Sequence, residues 1–338
     1  MKNTFVIAEA GANHNRSFEQ AKRLIDIAVE AQADAVKFQT YSSETLYAKN
    51  TPDFAGYEDI NSLIKNIELP RSWQRDLKLY CDDSGIEFMS TPFDEKAVDE
   101  LYDLGVKRFK IAAFEATDPR IVRYVAQTGL PVIFSAGISC DIDTVRSVVE
   151  WIKMENSDPD ITVLHCNSAY PTPIEDICLN QMAKIRNINA GVRIKVGISD
   201  HTEGILVPPL AVAMGAEVVE KHYTISRMIP GPDHGFAIEP MELVSMIRNI
   251  RETEKALRDK PGLTSSESDF LPATRSLVSS KKIMTGDQIT EDNTTTMRPY
   301  FPGAIRAMEY YSIIETGAKA IRDIEPGTVI KWFDISKK

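Results

Sequence analysis

Cysteine is scarce in this chain, and long apolar runs are missing. The four cysteines contain no C-x-x-C pair and are too sparse for a disulfide framework, so a reducing, cytoplasmic compartment is expected. The most apolar stretch, residues 205–219, is interrupted by Pro208, Pro209 and Gly215 and is too short to span a bilayer. The apolar run near Met1 is too short for a signal peptide. We therefore expect no membrane association.

An excess of positive charge is also missing. The 39 Lys and Arg residues are outnumbered by 49 Asp and Glu residues, which gives a net charge of −10. This balance disfavours binding to nucleic acids or anionic membranes. A small anionic substrate remains compatible with it, because charges are screened beyond about 8–10 Å and local Lys or Arg side chains then dominate.

A dinucleotide fingerprint is the third absence: no G-x-G-x-x-G follows the first apolar segment. What the chain does contain is eight short β-rich segments that alternate with helical ones. This order predicts a (β/α)8 barrel over residues 1–258, with an open doubly wound sheet as the alternative. The predicted strands are residues 4–9, 34–40, 86–91, 108–113, 131–136, 161–167, 194–199 and 218–224.

The helical segments show start signals and apolar stripes. Ser17 and Gln20 have the spacing of a capping box. Stripes with helical periodicity follow Asp141 and precede the end of the barrel. Their members are Ile142, Val145, Val148, Val149 and Ile152 in the first, and Leu243, Met246, Ile247, Ile250 and Leu257 in the second.

The C-terminal part differs in composition from the barrel. Residues 259–274 are rich in Pro, Gly, Ser and acidic residues and are predicted to be a linker. Residues 275–338 contain a weak repeat, in which Ile283, Gly286 and Ile289 are echoed by Ile324, Gly327 and Ile330. We interpret this segment as a small irregular β module.

Two histidines end neighbouring predicted strands. His201 follows Asp200, and His222 follows Glu220 and Lys221. A parallel crossover brings the C-terminal ends of both strands to one side of the sheet, so the two imidazoles are placed to share a divalent metal. The preceding acidic residues are candidates for orienting the rings. Two separate hydrogen-bonded histidines are the simpler alternative.

Other strand ends are unusually polar, as expected for the C-terminal face of a barrel, where active sites lie. Lys37 and Lys110 fall inside predicted strands, where an ammonium is costly unless it faces an anion or extends outward between helices. Glu9 and Glu115 are candidates for acid/base chemistry, with structural ion pairs to these lysines as the alternative. Hydroxyl and amide groups that would suit a phosphate or carboxylate are on Gln39, Thr91, Ser135, Asn167, Ser168 and Ser199.

These residues lie in short motifs spread over nearly the whole chain. The motifs are Glu9-Ala-Gly-Ala-Asn-His14, Val36-Lys-Phe-Gln-Thr40, Ser90-Thr-Pro-Phe93, Lys110-Ile-Ala-Ala-Phe-Glu115, His165 to Pro173, Ser199-Asp-His-Thr202, Glu220-Lys-His-Tyr-Thr224, Pro230-Gly-Pro-Asp233 and Met297-Arg-Pro299. In this order they resemble the sialic acid synthase family, which makes N-acetylneuraminate, legionaminate and pseudaminate, and the similar spore-coat polysaccharide synthases. The C-terminal module resembles the antifreeze-like SAF domain of that family.

The resemblance implies condensation of phosphoenolpyruvate with an N-acetylated amino-hexose. It implies a divalent metal, Mn²⁺ or Mg²⁺, on His201 and His222, and phosphoenolpyruvate on Lys37, Thr91, Lys110, Ser135 and Ser199. Sugar contacts would come from Glu115, Tyr170 and Asp233, and proton or water handling from Glu9. Arg298 matches an arginine that a partner subunit inserts into the barrel mouth, which implies a domain-swapped homodimer.

Some positions depart from the family pattern. Ala113 stands where many relatives have a phosphate-binding serine, Ser168 where sialate enzymes have asparagine, and Asn15-Arg16 after the Asn-His pair is also unusual. Asn167 is a candidate to compensate for the lost phosphate contact. Two other functions remain open: a metal-dependent aldolase or hydrolase on the same barrel, and a non-catalytic carbohydrate- or ice-binding protein.

Overall fold

A circle of eight parallel strands forms the first part of the molecule. The structure is a computed structural model that describes residues 3–54, 56, 58–138, 140–260 and 262–336. The chain divides into two compact units, Met1–Arg258 and Asp259–Lys338. Of the predicted domain and linker boundaries, residues 1 and 338 lie outside the described residues.

The strands of the first unit follow the order β3-β2-β1-β8-β7-β6-β5-β4, and the two end strands β3 and β4 lie against each other. The sheet is therefore a (β/α)8 barrel, as predicted, and the open-sheet alternative is wrong. Each strand lies within two residues of its predicted bounds. They are β1 Phe5–Glu9, β2 Ala35–Thr40, β3 Glu87–Pro92, β4 Phe109–Ile111, β5 Val132–Ala136, β6 Ile161–Cys166, β7 Ile194–Asp200 and β8 Val218–His222.

Helices cover the outside of this sheet and begin at side-chain caps. Asp94, Asp118 and Asp141 each accept a hydrogen bond from a backbone N–H of the first turn. The helices are α1 Phe18–Glu30, α2 Ile60–Ile67, α3 Gln74–Ser84, α4 Glu95–Asp103, α5 Pro119–Gln127, α6 Ile142–Glu155, α7 Gln181–Arg186, α8 Val207–Ala213 and α9 Pro240–Ala256.

Two details of the helix prediction are wrong. Ser17 caps α1 by accepting from the Gln20 N–H, but the Gln20 side chain donates to the Asn13 carbonyl and does not complete a capping box. Leu257 lies beyond the end of α9 and is exposed, because the helix stops at Ala256 and the turn that follows points this side chain outward. The remaining stripe residues of α6 and α9 pack on the barrel.

The barrel interior changes character along its axis. Its lower part is filled by an apolar cluster of Ile7, Ala35, Met89, Ile133, Leu164 and Val218. Further along the same strands, toward their C-terminal ends, the inward residues are charged or polar. Because side chains alternate along a strand, the outward residues between them pack against the helices. A polar cavity is thus built on an apolar floor.

The second unit is an irregular β structure with its own core. It contains α10 Ser265–Ser268, β9 Ser276–Ser279, β10 Thr294–Met297 and α11 Tyr310–Glu315, with β9 and β10 antiparallel. The two halves of the sequence repeat pair through their backbones: Ile283 and Ile324 exchange N–H to carbonyl hydrogen bonds of 2.9 and 2.8 Å. Gly286 and Gly327 both adopt the left-handed conformation, with φ of 93° and 78°. The predicted linker contains helical turns at residues 265–268 and 271–273 and belongs to this unit.

Within the described part of the chain, no helix has the length and apolar character needed to cross a membrane.

Gly197 provides a test of the barrel packing. A Cβ at this position would overlap the Val218 carbonyl oxygen and lie 2.7 Å from Leu164 Cδ2. We expect Gly197→Ala to lower the free energy of unfolding by about 1–3 kcal/mol, because the crowded strands must move apart. Gly235→Ala is the matched control, since nothing lies within 4 Å of its added Cβ. Denaturant unfolding that gives equal values for both variants would contradict the packing described here.

Candidate active site

Two buried ammonium groups lie inside the C-terminal half of the barrel. Lys37 and Lys110 are each 2% exposed and face the interior, so neither extends outward between helices. Lys37 Nζ lies 2.8 Å from Glu9 Oε2 and donates to Thr91 Oγ1 at 3.0 Å. Lys110 Nζ lies 3.3 Å from Glu220 Oε1. Burial of these charges is tolerable only because carboxylates surround them.

Glu220 is the central counter-charge, and the sequence interpretation missed this role. It contacts both lysines, at 3.7 Å for Lys37 and 3.3 Å for Lys110, and accepts a 2.9 Å hydrogen bond from Ser199 Oγ. Although burial opposes ionisation, the two ammonium groups hold the pKa of Glu220 at about 2. The sequence signal for this role was the position of Glu220 on the same face of β8 as His222. Which charges it meets is decided by strands distant in sequence.

Glu9 behaves in the opposite way. Burial and the neighbouring Glu220 charge raise its pKa to about 7, against the opposing effect of Lys37. Gln39 Nε2 donates to Glu9 Oε1 at 2.8 Å and fixes its orientation. Near neutral pH, Glu9 therefore exchanges a proton easily while Glu220 stays ionised. The two lysines, with Glu220 between them, are suited to bind an anionic ligand.

The two histidines meet in the same cavity. The rings of His201 and His222 are buried, with centroids 5.4 Å apart. Burial lowers the pKa of His201 to about 4 and the pKa of His222 well below its ordinary value, so both are neutral. His201 Nδ1 is 2.7 Å from the Asn167 carbonyl oxygen and must donate to it, which leaves a lone pair on Nε2.

A divalent metal fits this arrangement. The His222 Nδ1 atom is buried without a hydrogen-bond partner, and its neighbour Asp233 Oδ2 is 3.8 Å away. Neutral imidazole is a common ligand of divalent transition metals. Among the described residues, no group of three or more His, Cys, Asp or Glu side chains is placed to hold a metal. His201 and His222 would be the protein ligands of such an ion.

The predicted orientation of the rings by Asp200 and Glu220 is wrong. Asp200 points to the opposite face of its strand from His201, where it binds Lys221, because successive side chains alternate. Glu220 is engaged by the lysines and Ser199. The ring partner is instead the Asn167 carbonyl, which lies on the loop after β6 and had no signal in the sequence.

Aromatic rings form a wall beside the imidazoles. The Tyr170 ring lies 4.2 Å from His201 and 5.4 Å from Phe236, and Phe236 lies 5.2 Å from His222. Tyr170 is 45% exposed, so it borders the cavity opening. Phe236 was not predicted, since an apolar residue in a loop carries no chemical signal. The wall limits water access to the imidazoles from this side.

Asp233 reaches the site because the first loop of the barrel accommodates it. The Ala12 N–H donates to Asp233 Oδ2 at 3.1 Å. Gly11 has φ of 51°, and a Cβ there would lie 2.6 Å from the same oxygen, so only glycine permits this approach. The unusual Asn15 joins the two loops, since its Nδ2 donates to the Pro230 carbonyl and its Oδ1 lies 3.2 Å from His234 Nε2.

Some buried polar atoms in the site have no partner within the described residues. They include Ser135 Oγ and Glu115 Oε2, and burial raises the pKa of Glu115 to about 7. An unsatisfied buried group costs about 1–3 kcal/mol, so a hydrogen bond from a polar ligand to these atoms would be favourable. Cys166, which the sequence interpretation did not select, also faces the site, with Sγ 3.8 Å from His201 Nδ1. Burial raises the pKa of this thiol to about 12, which keeps it protonated.

Two of the departures from the family pattern, Ala113 and Ser168, lie together. Ser168 Oγ accepts from the Ile138 N–H at 3.1 Å. A Cβ on Gly137 would lie 2.5 Å from Ser168 Oγ and 2.8 Å from Ala113 Cβ, so the Ser168 hydroxyl is a neighbour of Ala113. The Asn167 side chain is engaged in its own loop, where it accepts from the Ala169 N–H and donates to the Asp176 carbonyl. Ser168 is therefore better placed than Asn167 to offer a hydrogen-bond donor beside Ala113.

Arg298 lies in the second unit. It follows β10, is exposed, and precedes Pro299 in a cis peptide bond.

This architecture defines a class of proteins in which a (β/α)8 barrel is followed by a SAF domain. The family model of the SAF domain matches residues 274–336. The chain belongs to the NeuB family, whose family model matches residues 24–261.

The chain is 37% identical to the N,N'-diacetyllegionaminic acid synthase of Legionella pneumophila, over 97% of this chain and 93% of that protein. It is 34% identical to a pseudaminic acid synthase of Campylobacter jejuni, over 98% and 97% of the two chains. The solved N-acetylneuraminic acid (sialic acid) synthetase of Leptospira borgpetersenii matches with a TM-score of 0.71 at 32% identity, and covers 80% of this chain and 90% of that one.

The raised pKa of Glu9 gives a stability test that does not depend on activity. A carboxyl that binds its proton more tightly in the folded state stabilises the fold below its ordinary pKa of 4.5, and this contribution is lost as the pH rises to about 7. We expect wild type to lose on the order of 3 kcal/mol of unfolding free energy across this window relative to Glu9→Gln. Denaturant unfolding of both proteins at pH 4.5 to 8 measures the difference. Parallel curves would show that Glu9 has an ordinary pKa.

Proposed function

We propose that this protein condenses phosphoenolpyruvate with an N-acetylated amino-hexose to give a nine-carbon 2-keto acid and inorganic phosphate. The observation that carries the proposal is the meeting of two buried ammonium groups and two neutral imidazoles around one cavity. The synthase names of the relatives, which refer to legionaminic, pseudaminic and sialic acids, support the same class of reaction.

Phosphoenolpyruvate would bind at the positive side of the cavity. Lys37 and Lys110 would balance its carboxylate and phosphate, and would then share their charge between the ligand and Glu220. Hydroxyl groups of Thr91, Ser135 and Ser168 would donate to the same oxygens, and the Ser199 hydroxyl would do so once it turns away from Glu220. The unpartnered Ser135 hydroxyl supports this assignment, since a bound anion would satisfy it.

The amino-hexose would bind on the side of the imidazoles. His201 and His222 would hold a divalent metal, Mn²⁺ or Mg²⁺, which supplies Lewis-acid polarisation of the sugar aldehyde when bound. Tyr170 and Asp233 flank the two rings and would contact the sugar hydroxyls and the N-acetyl group. Glu115, with an unpartnered oxygen, would accept a further hydrogen bond from the sugar.

Proton handling would fall to Glu9. The enol carbon of phosphoenolpyruvate attacks the aldehyde carbon, water adds to the resulting cationic carbon, and the tetrahedral product loses phosphate. The proton released by the water needs an acceptor within the cavity. A carboxyl with a pKa of about 7 is suited to take that proton and return it later. Gln39 would keep its oxygen oriented through the 2.8 Å contact.

A phosphate-release assay tests the reaction. Enzyme with Mn²⁺ and phosphoenolpyruvate is given N-acetylmannosamine, 2,4-diacetamido-6-deoxymannose or the corresponding altrose sugar in separate reactions. We expect phosphate release with one of them, together with a keto acid seen by mass spectrometry. Lys110→Met is the matched inactive control, because it removes an ammonium group but keeps the length of the side chain. Turnover of pyruvate without phosphate release would favour an aldolase, and no phosphate from any sugar would overturn the proposal.

We further propose that the active enzyme is a homodimer in which Arg298 of each SAF domain completes the partner's barrel. Arg298→Ala is then expected to raise the apparent dissociation constant of the sugar more than that of phosphoenolpyruvate. Mixing Arg298→Ala with Lys110→Met, after dissociation and reassociation, should restore activity, because one barrel of each mixed dimer then receives both intact residues. The assay uses a sugar concentration too low for Arg298→Ala to turn over. If the mixture is then no more active than the separate variants, the exchange between subunits does not occur.

A further inference from the structure

A buried ion pair lies behind the two histidines, on the helix-facing side of the barrel wall. Asp200 Oδ2 accepts from Lys221 Nζ at 2.7 Å, and the two side chains are 0% and 1% exposed. Both residues point away from the cavity, because they alternate with inward-facing neighbours on β7 and β8. The condensation proposed above uses neither of them.

This pair is tied closely to the backbone around His201. Asp200 Oδ1 accepts from both the N–H and the hydroxyl of Thr202, at 2.9 and 2.8 Å. Lys221 Nζ also donates to the Thr202 carbonyl oxygen. The residues before and after His201 are therefore held by one cluster, and Lys221 is itself the residue before His222.

The cluster lies where the backbone pairing of the two strands ends. In the β7–β8 ladder, Asp200 is registered with Lys221 in the last pair, and His201 and His222 come after it. The backbone of each histidine is then engaged by other segments, since the His201 carbonyl accepts from the Thr172 N–H and the His222 carbonyl from the Ile238 N–H. The ion pair is thus the last direct link between the two strands before the imidazoles.

We propose that Asp200 and Lys221 are positioning residues that set the separation of the two imidazoles and so determine metal affinity. This inference rests on the proposed role of His201 and His222 as metal ligands. A buried ion pair adds little stability compared with apolar side chains of similar volume, so stability alone does not account for it in an otherwise apolar wall. Groups that orient metal ligands typically change metal affinity by about 10–100-fold.

The test is a cobalt titration of the protein without substrates, followed by the absorption of bound Co²⁺. In the double variant Asp200→Asn/Lys221→Met, both charges are removed together so that neither is left buried alone, and the new amide still accepts from Thr202. The second variant, Asp200→Glu, keeps both charges but has a side chain one methylene group longer, which displaces Lys221. His222→Ala is the reference for a lost ligand. Thermal unfolding of each protein reports whether it is folded.

The matched control is Glu87→Gln/Arg108→Met, which removes a two-contact ion pair with distances of 2.7 and 3.1 Å at the opposite end of the barrel. We expect Co²⁺ to bind at least about 10-fold more weakly to the Asp200/Lys221 double variant, and within about twofold of wild type to the control. We also expect Asp200→Glu to bind Co²⁺ more weakly than wild type.

Two results would overturn the inference. One is wild-type cobalt affinity in both the double variant and Asp200→Glu. The other is an equal loss in the control, which would mark a general effect of destabilisation. The titration contains no substrate, so it reports on the imidazole pair even if the phosphate-release assay fails. Normal turnover by wild type together with unchanged cobalt affinity in the variants would leave the proposed function intact.

Discussion

The burial of two ammonium groups inside a barrel is the constraint on which the rest of the site depends. Lys37 and Lys110 are taken out of water by the strands around them, and an unpaired charge there would destabilise the fold strongly. Glu220 compensates both lysines, and Glu9 and Thr91 complete the shell of Lys37. Because Glu220 is shared between the two lysines, an anionic ligand can take its place as part of their counter-charge.

The same arrangement separates the roles of the two inner carboxylates. Glu220 lies between both lysines and stays ionised, with a pKa of about 2, whereas Glu9 faces one lysine and the Glu220 charge and has a pKa of about 7. Two groups of the same chemistry thus become a permanent anion and an exchangeable proton carrier. Burial acts in the opposite direction on the imidazoles, which it keeps neutral and therefore available as ligands. One desolvated cavity accounts for all three states.

Much of the fold was predictable, because the barrel repeats a simple local pattern. Each strand is an apolar segment within two residues of its predicted bounds. The errors arose where a partner comes from elsewhere. Asp200 and Glu220 were expected to orient the rings, yet Asp200 points outward to Lys221 and Glu220 is engaged by lysines of β2 and β4. Phe236 and Cys166 had no signal, since their roles depend only on what lies beside them.

The sequence by itself determined the (β/α)8 barrel, the small β module after it and the identity of the polar residues at the strand ends, because these follow from periodicity and residue type along the chain. Only the tertiary structure decided which carboxylate faces which ammonium, where the Asn167 carbonyl meets His201, and how Gly11 admits Asp233. The physical reason is that charge and hydrogen-bond energies depend on distances between strands far apart in the chain. Those distances exist only after the sheet has closed.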